Sequence, residues 1–143
     1  MIRRAAKSDI PGIIEIEKVS FSEPWDAQLF LDAIGSEDKY LFIAQIGKSI
    51  TGYIVFEKVL DEGHITNLAV GRDRQRKGIA TELVNTALDL AKSLKIKEIF
   101  LEVRESNEAA KRLYSKFGFK ETGRRKGYYP KANEDALLLN LQL

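Results

Sequence analysis

The sequence predicts an α+β fold, a mixed α/β arrangement with a single central mixed sheet of about seven strands and helices on both faces, and three observations predict it. Apolar runs with strand and helix periods follow one another in the order β-α-α-β-β-β-α-β-α-β-β. Between His64 and Val103 a strand pattern, a long helical pattern and a second strand pattern come in succession, which requires a crossover and therefore two parallel strands. The chain has 143 residues, 44% of them hydrophobic, enough for one compact domain with a real core and too few for two ordinary ones. One domain over residues 1–143 is expected.

Each element has its own signal. Ile2 to Ala5 reads as a short strand, and Ser8 is placed to cap a helix that tolerates Pro11 in its first turn and buries Ile10, Ile13 and Ile14. Pro24 disfavours helix at Glu23, so this helix stops around Phe21-Ser-Glu-Pro-Trp25, and a second follows with Ala27, Phe30, Leu31 and Ile34 on one side. Phe21 and Trp25 thus occupy a helix–helix elbow, where they either plug the core or line a groove. Tyr40–Ile46 and Ser49–Leu60 are β-branched runs joined by the two-residue turn Gly47-Lys48, and a turn at Asp61-Glu62-Gly63 leads into His64–Val70, which completes an antiparallel meander.

Ile79, Leu83, Val84, Ala87, Leu90, Ala91 and Leu94 mark a long amphipathic helix, and Glu98–Val103 a strand. Asn107 caps a helix carrying Ala110, Leu113, Tyr114 and Phe117, and Gly118 ends it at C′. Phe119–Tyr129 and Asp135–Leu143 form a final pair of strands around Pro130-Lys-Ala-Asn133.

Composition narrows the function classes. The 23 Lys+Arg nearly balance 21 Asp+Glu, a formal charge of +2, so net charge does not imply a general polyanion binder. With no cysteine and one histidine, disulfides, thiolate chemistry and a histidine-rich metal cluster are excluded, and no metal is expected. No apolar run approaches a membrane span, and Met1-Ile-Arg-Arg leads into a helical pattern without a signal-peptide apolar region, so a soluble cytoplasmic protein is expected. Arg124-Arg-Lys126 lacks stacking aromatics at a nucleic-acid-module spacing and reads as a solvated face.

The stretch from Asn67 to Thr81 is built to bind an anion. A strand delivers the chain to a basic turn, and a helical pattern starts at Gly78, so free turn and first-turn N–H groups and the helix dipole point at one place. Gly78 and the small Ala80 allow close approach, Arg74, Arg76 and Lys77 add charge, and a pyrophosphate would fit. Neither the Walker pattern nor the dinucleotide fingerprint is present.

Gln75-x-x-Gly78-x-Ala80 resembles the acyl-coenzyme A signature of the GCN5-related N-acetyltransferase (GNAT) family, and the element order resembles the GNAT fold. Leu101-Glu-Val-Arg-Glu-Ser-Asn107 with Ala110-Lys-Arg-Leu-Tyr114 and Phe117-Gly-Phe119 resembles the second half of that family's cofactor and catalytic region. Gly63–Val70, and Gly127-Tyr-Tyr-Pro130 with Glu134-Asp-Ala136, resemble its RimI and Ard1-type branch, which acetylates protein N-termini. The resemblance implies acetyl-coenzyme A as cofactor, with coenzyme A as product. It implies contacts from Gln75, Arg76, Lys77, Gly78, Ile79, Ala80, Thr81, Asn107 and Tyr114, and a pantetheine arm bonded to the backbone of Leu68, Ala69 and Val70. It also implies that a bulge frees an oxyanion-stabilising N–H near Val70.

Amine acetylation needs a neutral nucleophile, oxyanion stabilisation and a tolerated leaving thiolate. Glu102 lies between Leu101 and Val103, where a charge is unexpected unless it faces a wet cleft; the family places its base there, and the bland alternative is a solvated strand face beside Glu98. His64 is the second candidate base by resemblance to the Ard1-type branch. Tyr114 matches the family's acid and fits equally a core aromatic. Tyr128 and Tyr129 are adjacent in a strand and should point to opposite faces. By resemblance their hairpin walls a peptide groove opposite the Phe21–Trp25 elbow, with Glu23 available to a substrate amine. The resulting expectation is an acetyl-coenzyme A-dependent Nα-acetyltransferase whose partner is a protein N-terminus, a ribosomal protein in the RimI-type case. A small-amine or lysine acetyltransferase, and a non-catalytic domain binding coenzyme A or nucleic acid, are the rival readings.

Overall fold

The computed structural model describes residues 1–130 and 133–143, so Lys131 and Ala132 of the expected final turn lie outside the described residues. The chain runs β1 (Ile2–Arg4), α1 (Ile10–Ser20), α2 (Ala27–Gly35), β2 (Lys39–Ile46), β3 (Ser49–Val59), β4 (Glu62–Val70), α3 (Ile79–Ser93), β5 (Glu98–Arg104), α4 (Glu108–Lys116), β6 (Lys120–Tyr129) and β7 (Glu134–Gln142). All seven strands join one sheet in the order β1-β2-β3-β4-β5-β7-β6, and β4–β5 is its parallel pair, as a helical crossover demands.

The two faces have separate cores. On one, Ile10, Ile13 and Ile16 of α1 and Phe30 of α2 pack against Leu41, Ile43, Tyr53 and Val55. On the other, Leu83, Val84 and Ala87 of α3 and Tyr114 of α4 pack against Ile54, Phe56, Ile99 and Leu101. Helices cover both faces because the strands are apolar on both sides along the middle of the sheet, β3 most of all, with Thr51 to Phe56 buried without interruption.

One irregularity decides where the site forms. In the β3–β4 ladder Val55 pairs with Asn67 and Phe56 with Ile65, so Thr66 is an extra residue, a β-bulge. The extra residue reverses the side-chain alternation beyond it. Ile65 faces the α3 side, whereas Asn67 and Ala69 face the α1 side. The β4–β5 pairing stops at Ile65↔Leu101, leaving the rest of both strands splayed apart.

Several local expectations need correction. Ser8 lies in a 3₁₀ turn, Lys7–Asp9, and the residue before α1 is Asp9, whose carboxylate instead accepts from Arg3 (2.8 and 2.9 Å) and the Ala6 N–H (2.7 Å). The ion pair holds the Asp9 carboxyl below the ordinary aspartate range. Ile14 is only half-buried; Ile16 and Glu17 take the innermost positions. The turn before β4 is Leu60-Asp61, with Leu60 itself left-handed at φ 57°, and Gly63 lies inside the strand because a Cβ there would come within 2.4 Å of the Phe56 ring.

Candidate active site

A cleft of about 850 Å³ opens on the α1/α2 face of the sheet, where those helices stop short of β5 and β7. Its floor is set by the period of β5: Ile99, Leu101 and Val103 are buried in the α3/α4 core, so Phe100, Glu102 and Arg104 point the other way, into the cleft. His64, across the parallel pair, stacks on Phe100 with ring centroids 5.5 Å apart. Glu102 therefore sits on a wet cleft face, its side chain 28% exposed, and Arg125 approaches it at 3.5 Å. The side of β5 that carries Glu98 and the side that faces the cleft are the same side, so the two sequence readings of Glu102 describe one location.

Tyr114 reaches the same cleft from the opposite side of the sheet. It projects from α4, packs edge-on to Phe119 at 5.3 Å, and lines the cavity through the β4–β5 splay. Burial raises the pKa of its hydroxyl, which keeps the phenol a proton donor across the physiological range. Asn107 also lines the cavity while capping α4, its side chain accepting the Ala110 N–H at 3.1 Å.

Along the splay, β4 presents an unpaired edge. Gly71 donates its N–H to Thr51 of β3 (2.8 Å), and the Gln75 side chain donates to the Val70 carbonyl from the other side (3.2 Å). Peptide groups alternate in direction along a strand, so Leu68 and Val70 turn theirs to the open edge, and Ala69 turns its own to β3. Beyond β4, the loop ends at Gly78, whose φ of +82° is the left-handed conformation that favours glycine; Arg76 also adopts it, at φ 63°. Among the described residues no side chain caps α3, so the amides of Gly78, Ile79, Ala80 and Thr81 keep their hydrogen-bonding capacity for a ligand, with Arg76 and Lys77 exposed beside them. The Ile79 side chain is buried in the core, so its amide alone faces outward. Of the other loop cations, Arg74 leans toward Asp73 (3.9 Å) and Arg72 donates to the Val19 carbonyl (2.8 Å).

Two aromatic walls flank Glu102. Phe21, Glu23 and Trp25 of the elbow form one, and Trp25 packs simultaneously on core Phe30 (5.2 Å), so plug and groove lining are one arrangement. Tyr128 and Tyr129 form the other. Both line the cleft, with rings 5.1 Å apart and mutually perpendicular, rather than pointing to opposite faces. The reason is Gly127, left-handed at φ 63°, within a stretch where the β6–β7 register slips between Arg125 and Tyr129. The Glu102 carboxylate, as an acceptor, raises the pKa of the Tyr128 hydroxyl.

Sequence reasoning missed three residues here. Arg125 stands on the exposed face that Arg124-Arg-Lys126 predicts, and from there it also pairs with Glu102 and lies 5.5 Å from the Tyr128 ring centre. Arg104 joins the two walls: it donates to Ser22 Oγ of the elbow (2.6 Å), sits 4.1 Å from the Tyr129 ring centre and pairs with Glu134 (3.4 Å). Glu134 is held below the usual glutamate range by hydrogen bonds from Ser106 and by Arg104. The third is Glu17, a buried carboxylate at the cleft's inner end. A charge within a β-strand or on an apolar helix stripe is the signal that could have marked each of them. Among the described residues no group of three or more potential metal ligands clusters, and no helix is long and apolar enough to cross a membrane.

Comparison with known proteins gives a consistent picture. The model of the acetyltransferase (GNAT) family matches residues 10–119. The [ribosomal protein bS18]-alanine N-acetyltransferase of Escherichia coli strain K12 is 33% identical over 138 residues, covering 95% of this chain and 93% of that protein. An N-alpha-acetyltransferase of Saccharolobus solfataricus is 32% identical, covering 96% of this chain and 90% of its own length. The crystal structure of Ard1 from Thermoplasma volcanium superposes with a TM-score of 0.92 at 27% identity, covering 100% of this chain and 97% of that one.

Proposed function

The chain belongs to the GNAT acetyltransferase family, and on that premise we propose that it acetylates the α-amino group of protein N-termini by direct transfer, with a ribosomal protein among its substrates. The observation that carries this reading is the placement of Glu102 between two aromatic walls, with Tyr114 entering the same cleft through the splayed strands. A cleft walled on both sides suits an extended polypeptide more than a compact amine.

The residues present fit acetyl-coenzyme A: uncapped α3 amides with Arg76 and Lys77 suit its phosphates, the Leu68–Val70 edge suits its amide-rich arm, and Gln75 and Asn107 flank the path. Bound there, it supplies an activated thioester acyl group and a thiol leaving group. The rest is done by the chain. The Phe21–Trp25 elbow and Tyr128-Tyr129 orient the incoming backbone, and Glu23 attracts the ammonium form. An N-terminal amine titrates at about 7.7–8.0, so at neutral pH Glu102 takes its proton directly or through a water, with His64 as the auxiliary base. The Val70 N–H, on the open edge, donates where negative charge develops, and the Tyr114 hydroxyl, which reaches the cleft through the splay, would give its proton to the leaving thiolate.

Kinetics on four substrates tests the assignment: a free amino acid, a peptide of about six residues with a free N-terminus, the same peptide N-terminally blocked but carrying lysine, and a polyamine. The free peptide should give by far the highest kcat/KM. Preference for the polyamine, or undiminished acetylation of the blocked peptide, would refute it.

A further inference from the structure

Glu17 is 1% exposed, and its three hydrogen-bond partners are neutral donors. Its Oε2 accepts the main-chain N–H of Trp25 (2.9 Å); its Oε1 accepts the Tyr53 hydroxyl and the Asn67 side-chain amide (2.8 Å). Burial, together with the Glu17 bond, pushes the Tyr53 hydroxyl pKa up and keeps it a donor. A carboxylate buried among neutral donors costs solvation that an apolar residue would avoid, so its stabilising value is small against its geometric one. That geometry joins four pieces: α1, the elbow, β3, and β4 one residue beyond the Thr66 bulge. Both ends of the network, Trp25 and Asn67, line the cleft, as does Glu17 itself.

We propose that Glu17 is a positioning residue for the peptide substrate, fixing the Phe21–Trp25 wall against the bulged strand. The inference rests on the reading of this cleft as a peptide groove. Neither oxygen need touch the substrate; the carboxylate acts through Trp25 and Asn67. The carboxylate does this by accepting at both oxygens. In Glu17→Gln the amide NH₂ either opposes the Trp25 N–H, which can only donate, or faces Tyr53 and Asn67, which then have to turn the hydroxyl and flip the amide to accept, so the variant breaks or rearranges a tie in either orientation.

The chain's single tryptophan is Trp25, so its fluorescence reports the elbow without substrate or activity. Glu17→Gln should increase acrylamide quenching of Trp25. It should also raise KM for an N-terminal peptide about tenfold, the loss of one hydrogen bond to a charged group, while kcat and the acetyl-coenzyme A Kd change by less than about twofold. Glu17→Asp, which keeps the charge but retracts it by one methylene, should act in the same direction and serves if the glutamine variant does not fold. Wild-type quenching and KM in a folded variant, or a fall in kcat at unchanged KM, would overturn the proposal. If the wild-type protein acetylates no peptide, the groove reading falls by itself, and the quenching result still decides whether Glu17 holds the elbow.

Discussion

Gly78 can be perturbed so that backbone strain and charge separate. With φ at +82° a side chain there is strained, by about 1–2 kcal/mol for most residues and less for Asn and Asp, which visit this conformation readily. An added Cβ meets no atom of the described residues within 4 Å, so no steric cost joins the backbone one. Gly78→Asn and Gly78→Asp therefore form a nearly isosteric pair that differs in one negative charge. For an assumed separation of about 5 Å between the Asp carboxylate and a phosphate on the α3 amides, unit charges repel by about 1 to 3 kcal/mol for effective dielectric constants between 80 and 20. Acetyl-coenzyme A should accordingly bind the Asp variant about 5- to 150-fold more weakly than the Asn variant by isothermal calorimetry, the ratio shrinking as salt is added. Stability should move the other way, since an acidic group near a helix N-terminus interacts favourably with the dipole. Opposite signs in Kd and Tm exclude misfolding as the cause. Equal affinities for the two variants would remove this loop from the binding site.

Two further outcomes bear on the chemistry. Glu102→Gln should lower kcat about 100-fold or more at pH 7 with unchanged acetyl-coenzyme A affinity, the loss shrinking as pH rises through about 8 and the amine deprotonates unaided; a pH-independent loss in a full rate profile would assign Glu102 a positioning role instead. Tyr114→Phe should leave Tm nearly unchanged, because the ring stays packed on Phe119, while kcat falls about 10- to 100-fold near neutrality. Since burial raises the Tyr114 pKa, its acid form persists above neutral pH, so its own ionisation should add no alkaline limb to the wild-type profile up to pH 9. An unaltered kcat in the Phe variant would leave Tyr114 a core aromatic only.

The parts of this fold that were legible in the sequence are those with a period or a stop signal. The strand–helix–strand crossover, the Gly47-Lys48 hairpin, the Asn107 cap and the glycine opening α3 all appear where residue chemistry demands them. Two of the misses share a cause: one backbone irregularity reassigns every side chain after it, and irregularities without glycine or proline leave no local mark. Ile65-Thr-Asn67 reads as ordinary alternating strand, yet the bulge at Thr66 turns Asn67 to the opposite face. Tyr128 and Tyr129 violate alternation for a related reason, although there Gly127 was available as a warning. Glu17 was marked only by its place on the apolar stripe of α1, a weak signal because a glutamate in a helix is normally exposed, and the donors contributed by Trp25, Tyr53 and Asn67 make its burial tolerable.

The bulge at Thr66 also explains why two distant tasks share one cleft. Before it, His64 stands on the cleft face beside Phe100 and the ladder to β5 is intact. After it, β4 no longer pairs with β5, so the peptide groups of Leu68 and Val70 face an opening through which Tyr114 is reached. The same reversal carries Asn67 to Glu17 and so ties the Phe21–Trp25 wall to the strand that borders the opening. A strand of ordinary register would keep its side-chain faces and its pairing uniform along its length. By inserting one residue midway, β4 combines a paired segment, whose His64 lines the cleft beside Phe100, with an unpaired edge above Thr66; on the reading proposed above the first would serve the base side and the second the acyl donor.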